Sequence, residues 1–106
     1  SSTAATDATQ GRLSYSSSKA AINIAAKILS HELSRFKIRV NTIAPGLTNT
    51  DMMNNNHSND NIKTQLEKTS YDRVAEPDEI ASLALYLASG KSSYVNGQII
   101  RIDGGI

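Results

Sequence analysis

A tyrosine and a lysine stand four residues apart in the stretch LSYSSSKAAINIAAKIL, as Tyr15 and Lys19. On a helix, positions i and i+4 share a face, so a phenol and an ammonium at that spacing can approach each other. A free phenol has a pKa of about 10, so only about one molecule in a thousand is ionised at neutral pH. A nearby cation favours the phenolate and makes tyrosine a usable proton donor or acceptor. The plainer alternative is a pair that only packs on a helix surface. With four Tyr and six Lys in the chain, chance supplies roughly 0.2 such pairs, and most i,i+4 neighbours have no chemical role. The pair alone does not decide between the two.

The elements that must position these side chains are visible in the pattern around them. Residues 3–13 are small and polar with a glycine and read as a loop. From about Ser14 to Ser34, Ile22, Ala25, Ala26, Leu29 and Leu33 recur at helical spacing, while Ile24 and Ile28 form a second apolar face. A helix that is apolar on two sides is expected to lie between a sheet and something else, such as another subunit. Arg35 and Lys37 near its end suit the negative pole of the helix dipole.

In KIRVNTIAPG, Ile38, Val40, Thr42 and Ile43 predict a short strand, stopped by Pro45-Gly46. Residues 47–73 are polar and asparagine-rich and read as a long mobile loop, with a weak helical pattern from Ile62 to Lys68. Loops of that length inside a domain commonly act as lids or binding segments. Pro77, followed by Asp78 and Glu79, signals a helix start, and Ile80, Leu83, Ala84 and Leu87 give it an apolar stripe that ends at Gly90. A final strand, QIIRID, runs into Gly104-Gly105.

Strands separated by helices imply an α/β arrangement with parallel pairing. Two short strands cannot cover the apolar surface of two such helices, so the chain reads as half a domain. Its 106 residues allow one domain at most. The net charge of +1, with both signs mixed, gives no footprint for nucleic acid or a membrane surface. The absence of cysteine excludes disulfides, thiolate metal sites and a thiol nucleophile. No apolar run approaches a membrane span, and SSTAATDATQ is no signal peptide. A cytoplasmic chain that starts inside something larger is the expectation.

Read together, SS…YSSSKAAI, IRVNTIAPG…T…M and EPDEIASLALYLAS…SSYVNGQIIRIDGG resemble the C-terminal half of a classical short-chain dehydrogenase/reductase. The general pattern is closest to the 3-oxoacyl-(acyl-carrier-protein) reductase-like members. The resemblance runs from Ser1 to Gly105 and rests on several motifs that agree in order and spacing. It implies the last strands and helices of a Rossmann-type doubly wound parallel sheet, with residues 1–106 as the catalytic half and the N-terminal dinucleotide-binding half absent.

The resemblance also implies roles. Ser2, thirteen residues before Tyr15, would hydrogen-bond the substrate carbonyl, with Ser1 one register away. Tyr15 would be the general acid in reduction and the base in oxidation. Lys19 would bind the nicotinamide ribose hydroxyls of NAD or NADP and favour the phenolate. Pro45 and Gly46 would border the nicotinamide, the backbone near Thr48 would hold its carboxamide, and Thr50 would stand on the cofactor side. Taken alone, Pro45-Gly46 is a plain turn and Thr50 a plain cap. Asn41 resembles a structural asparagine, and Asp103-Gly104-Gly105 an architectural strand end.

The segment from Leu47 to Arg73 occupies the place of the family's substrate lid. His31 and His57 have no partners at ligand spacing, so no metal is expected. None of the six glycines forms the phosphate-binding fingerprint of a dinucleotide site. The implied activity is therefore that of a parent NAD(P)-dependent oxidoreductase acting on a small carbonyl or alcohol. The partner is expected to be a second copy or the missing half, and the isolated chain is expected to be inactive. The other reading is an inactive truncated fragment or a non-catalytic assembly module.

Overall fold

The first long helix begins directly behind the polar N-terminal segment. The computed structural model describes all of Ser1–Ile106. Helix α1 spans Leu13–Glu32 and is followed by strand β1, Thr42–Pro45, the short helices α2, Asp51–Asn56, and α3, Asn59–Leu66, then α4, Pro77–Ala88, and strand β2, Ile99–Ile102. The two strands pair in parallel, with Thr42 opposite Ile99 and Pro45 opposite Ile102. The expected α/β class and parallel pairing hold. The sheet consists of these two strands.

The first expected strand is shorter than the pattern of Ile38 and Val40 suggests. Two asparagine side chains interrupt the backbone ladder before β1 begins. Asn96 Oδ1 accepts the Val40 N–H at 2.8 Å, and Asn41 Oδ1 accepts the Gln98 N–H at 3.0 Å. Asn41 Nδ2 also donates to the Val95 carbonyl at 2.9 Å, so the structural part assigned to Asn41 fits what it touches.

The expected long loop at 47–73 needs correction, because α2 and α3 occupy much of it. Each is started by a hydroxyl cap. Thr50 Oγ1 accepts the Met53 N–H and Ser58 Oγ accepts the Asn61 N–H, both at 3.2 Å. Such caps satisfy donors that a helix of one or two turns would otherwise leave open. The excursion is also closed at its base. Asn49 N–H donates to the Ala75 carbonyl at 2.8 Å, and Ala75 N–H donates to that of Leu47 at 3.0 Å.

Helix α4 starts as expected, with Pro77 in its first turn and a reciprocal capping box between Glu76 and Glu79. At its far end, Arg39 Nη2 donates to the carbonyls of Leu87 at 2.8 Å and Ser89 at 3.2 Å. A guanidinium there satisfies open carbonyls at the negative end of the helix.

Helix α1 meets the strand region through a narrow polar seam. Lys27 Nζ donates to the Gly97 carbonyl at 3.1 Å, and Asn96 Nδ2 donates to the Ser30 carbonyl at 3.0 Å. A side chain at Gly97 would place its Cβ 2.6 Å from Ser30 Oγ, so this approach requires glycine. The buried residues of α1 are Asn23 and Ser30, while both apolar faces remain open: Ile24 is 60% exposed and Ile28 51%. Only Ala44 and Met53 are buried hydrophobic residues.

The accessible surface is 7300 Å², against about 5,800 Å² for a compact monomer of this mass. The radius of gyration, 15.0 Å, exceeds the roughly 13 Å of a compact domain of this length. Helices and sheet are in place, but the apolar surface that should close a core faces outward.

Candidate active site

Tyr15 and Lys19 lie on the first two turns of α1, both half-buried. The Lys19 ammonium sits 5.5 Å from the centre of the Tyr15 ring, within range of a cation–π attraction. The shared helix face inferred from the i,i+4 spacing is therefore present.

The N-terminal segment is tied to the same helix. Ser1 Oγ donates to the Lys19 carbonyl at 3.2 Å, and the short 3-10 turn Thr3–Ala5 packs against α1 and β1. Ser2 Oγ accepts the Ala4 N–H at 3.2 Å and caps this turn. A hydroxyl used as an acceptor still has its proton to donate, which is what hydrogen-bonding a carbonyl oxygen requires.

A second tether reaches this segment from β2. Arg101 Nη1 donates to Thr6 Oγ1 at 2.8 Å and Asp7 Oδ1 at 2.9 Å, while its Nε donates to Asp103 Oδ2 at 2.6 Å. The Asp7 carboxyl is held below its usual range by the Arg101 hydrogen bond, which outweighs the opposing effect of burial. Burial pushes the Asp103 carboxyl up, but the Arg101 guanidinium and the Gly105 N–H more than offset this and leave it lowered. Asp103 does structural work in this contact, in line with its expected architectural part.

Pro45 ends β1, and Gly46 follows with its N–H on the Ile102 carbonyl at 3.0 Å. A Cβ at Gly46 would lie 2.9 Å from Asp103 Cα, so packing of the two strand ends already demands glycine here. Thr48 Oγ1 donates to the Gly46 carbonyl at 3.2 Å. Thr48 bridges Ala75 through the bonds of its neighbours, so its own N–H and C=O have no backbone partner. That donor and acceptor complement a carboxamide, and on this point the residues present fit a nicotinamide. Thr50 caps α2, the plainer of its two expected parts.

The base of the α2–α3 excursion is pinned by Arg73, whose Nη1 and Nη2 donate to Glu79 at 2.7 and 2.8 Å. The Arg73 hydrogen bonds, with the Glu76 N–H, lower the Glu79 carboxyl to about 2. A cavity of about 180 Å³ lies beside this pair, lined by Leu47, Tyr71, Arg73, Glu79 and Asp103, and neither Tyr15 nor Lys19 borders it.

Arg12 and the pairing of Arg101 with Asp7 escaped the sequence reading. Arg12, whose guanidinium carbon lies 5.6 Å from the centre of the Tyr15 ring, was legible in principle as an i,i+3 neighbour. The pairing of Arg101 with Asp7, 94 positions apart, leaves no such trace.

A family model described as enoyl-(acyl carrier protein) reductase matches residues 1–106. A 3-oxoacyl-(acyl-carrier-protein) reductase of Chlamydia trachomatis is 45% identical over 97 residues, covering 91% of this chain and 38% of that protein. A 3alpha-hydroxysteroid dehydrogenase of Mediterraneibacter gnavus is 43% identical over 90 residues, covering 85% of this chain and 36% of that protein.

Among solved structures, a 7 alpha-hydroxysteroid dehydrogenase complexed with NADH and 7-oxo glycochenodeoxycholic acid superposes with a TM-score of 0.96 at 36% identity, covering 99% of this chain and 41% of the other. A 3-oxoacyl-(acyl-carrier protein) reductase of Brucella melitensis gives 0.90 at 34%, covering 100% and 40%. The chain thus spans less than half the length of each of these proteins.

Proposed function

The chain belongs to the short-chain dehydrogenase/reductase family, and from that premise we propose that it carries the proton-transfer half of an NAD(P)-dependent oxidoreductase acting on a small carbonyl compound or secondary alcohol. The observation that carries this reading is the Lys19 ammonium beside the Tyr15 ring, with Ser1 bonded to the Lys19 carbonyl and Ser2 next to it. In this reading Ser2 orients the substrate oxygen. Tyr15 gives that oxygen a proton in reduction and takes it back in oxidation. Lys19 holds ribose hydroxyls and stabilises negative charge on the phenol oxygen. Pro45, Gly46, Thr48 and Thr50 border the nicotinamide end. When bound, NAD or NADP supplies or accepts the hydride at the carbonyl carbon.

The same reading assigns the cofactor's phosphates and adenosine to a part of the protein outside these residues, because no glycine spacing here can cradle a pyrophosphate. The working enzyme is then a longer cytoplasmic polypeptide, assembled as a homo-oligomer over the open faces of α1. The second reading, a truncated or non-catalytic assembly module, is favoured by one feature: only two hydrophobic residues of this chain are buried.

Titration with NADH and NADPH, followed by nicotinamide fluorescence, tests the proposal. The full-length protein should bind one or both cofactors, and Lys19→Ala should weaken binding. The 106-residue chain alone should show no saturation up to millimolar cofactor. Full-length protein that neither binds nor oxidises either cofactor would sink the oxidoreductase reading. Saturable binding by the short chain would show that assembly rebuilds the pocket.

A further inference from the structure

Arg12 is a cation without a counter-ion. It is half-buried immediately before α1, and its guanidinium carbon lies 5.6 Å from the centre of the Tyr15 ring. The Lys19 ammonium lies 5.5 Å from the same centre. From Ala8 to His31 the chain has no acidic residue, and none of its ion pairs includes Arg12. Other arginines are engaged: Arg39 on the end of α4, Arg73 on Glu79, and Arg101 on Asp7 and Asp103. Arg35 rests on Phe36, at the opposite end of α1. Arg12 alone combines a free guanidinium with a place beside the proposed acid/base group.

We propose that Arg12 binds an anionic oxygen group, a carboxylate or a phosphate, carried by the substrate a few bonds from its reacting carbonyl. The substrate class is then short oxo acids or oxo phosphates and the corresponding hydroxy compounds. The proposal rests on the reading that Tyr15 handles the carbonyl proton. The guanidinium fork matches two oxygens of either anion, which fixes orientation as well as charge. The aromatic ring holds the guanidinium by cation–π attraction without supplying a hydrogen-bond acceptor, so the donors of Arg12 stay available. An anion seated there brings a nearby carbonyl oxygen toward the Tyr15 hydroxyl.

The test uses the full-length protein and three probes: acetoacetate, its uncharged methyl ester, and dihydroxyacetone phosphate. Binding is measured by calorimetry in the presence and absence of cofactor. At least one anion should bind more tightly than the ester. Arg12→Gln should weaken that anion by about ten- to a hundredfold, the size expected for a charged hydrogen-bonded pair, and leave the ester unchanged. Arg12→Lys should recover part of the loss, and thermal melts confirm that both variants fold. Whichever anion binds more tightly decides between carboxylate and phosphate.

The proposal is overturned if Arg12→Gln leaves anion affinity unchanged, if the ester binds as well as the anions, or if no anion binds. Turnover separates the two readings. Arg12-dependent anion binding without nicotinamide oxidation keeps this site and removes the oxidoreductase reading. Equal turnover of ester and acid, unaffected by Arg12→Gln, does the reverse.

Discussion

The guanidinium of Arg101 holds the carboxylate of Asp7 by two hydrogen bonds, Nη1 to Oδ1 at 2.9 Å and Nη2 to Oδ2 at 3.3 Å, across 94 positions of sequence. This clamp fastens the segment that begins with Ser2 to the end of β2, beside Gly46. A hydroxyl is useful to a reacting carbonyl only if it is held in place, so the clamp links strand packing to the geometry of the candidate site. The pair is partly exposed, so solvent limits its value. Asp7→Asn and Arg101→Met should each cost about 0.5 to 1 kcal/mol. Denaturant melts of a double-mutant cycle should show strong coupling; additive losses would mean that the two side chains do not act together.

Acid should release the same clamp. The folded-state pKa values of Asp7 and Asp103 are both lowered from 3.8. A depressed carboxylate contributes stability above its unfolded pKa and loses it as pH falls through the folded value. Melting temperature should therefore fall as pH drops below 3.8, and Asp7→Asn should flatten that limb. An unchanged acid limb in Asp7→Asn would show that Asp7 does not report folding.

Gly46→Ala separates packing from cofactor contact. The new methyl would meet Asp103 Cα at 2.9 Å, and because backbone cannot give way cheaply, the loss should be about 1–3 kcal/mol without any ligand. If glycine were needed only to let a nicotinamide approach, the cofactor-free melt would be unchanged and only binding would suffer.

What was legible in the sequence followed from local periodicity and from motifs. Helix α1, the start of α4 at Pro77 and the parallel strands all leave repeating traces. Tyr15 and Lys19 share a face because four residues are about one helical turn. Helix α2 was illegible because so few turns give too few positions for a period to emerge, while α3 left only the weak pattern from Ile62 to Lys68. They are held by caps at Thr50 and Ser58; Thr50 was legible as a cap, whereas Ser58 in its asparagine-rich stretch looks like an ordinary loop residue. The seam under α1 was hidden for another reason: it is polar, made by Lys27, Ser30 and Asn96, while the aliphatic residues that drew attention face away from it. Side-chain pairings such as Arg101 with Asp7 depend on the tertiary fold and have no local signature.

The division of labour between Tyr15 and Lys19 gives the sharpest test of the site. If Tyr15 moves the proton, Tyr15→Phe in the full-length enzyme removes the donor but keeps the ring that Lys19 and Arg12 rest on. Turnover should then fall by about a hundred- to ten-thousandfold, the usual contribution of a positioned acid or base, with little change in cofactor affinity. Lys19→Met should behave differently. It removes both the proposed ribose contact and the positive charge beside the phenol, so cofactor binding should weaken while kcat also falls. Equal losses of cofactor affinity in both variants would mean that Tyr15 serves binding and not proton transfer.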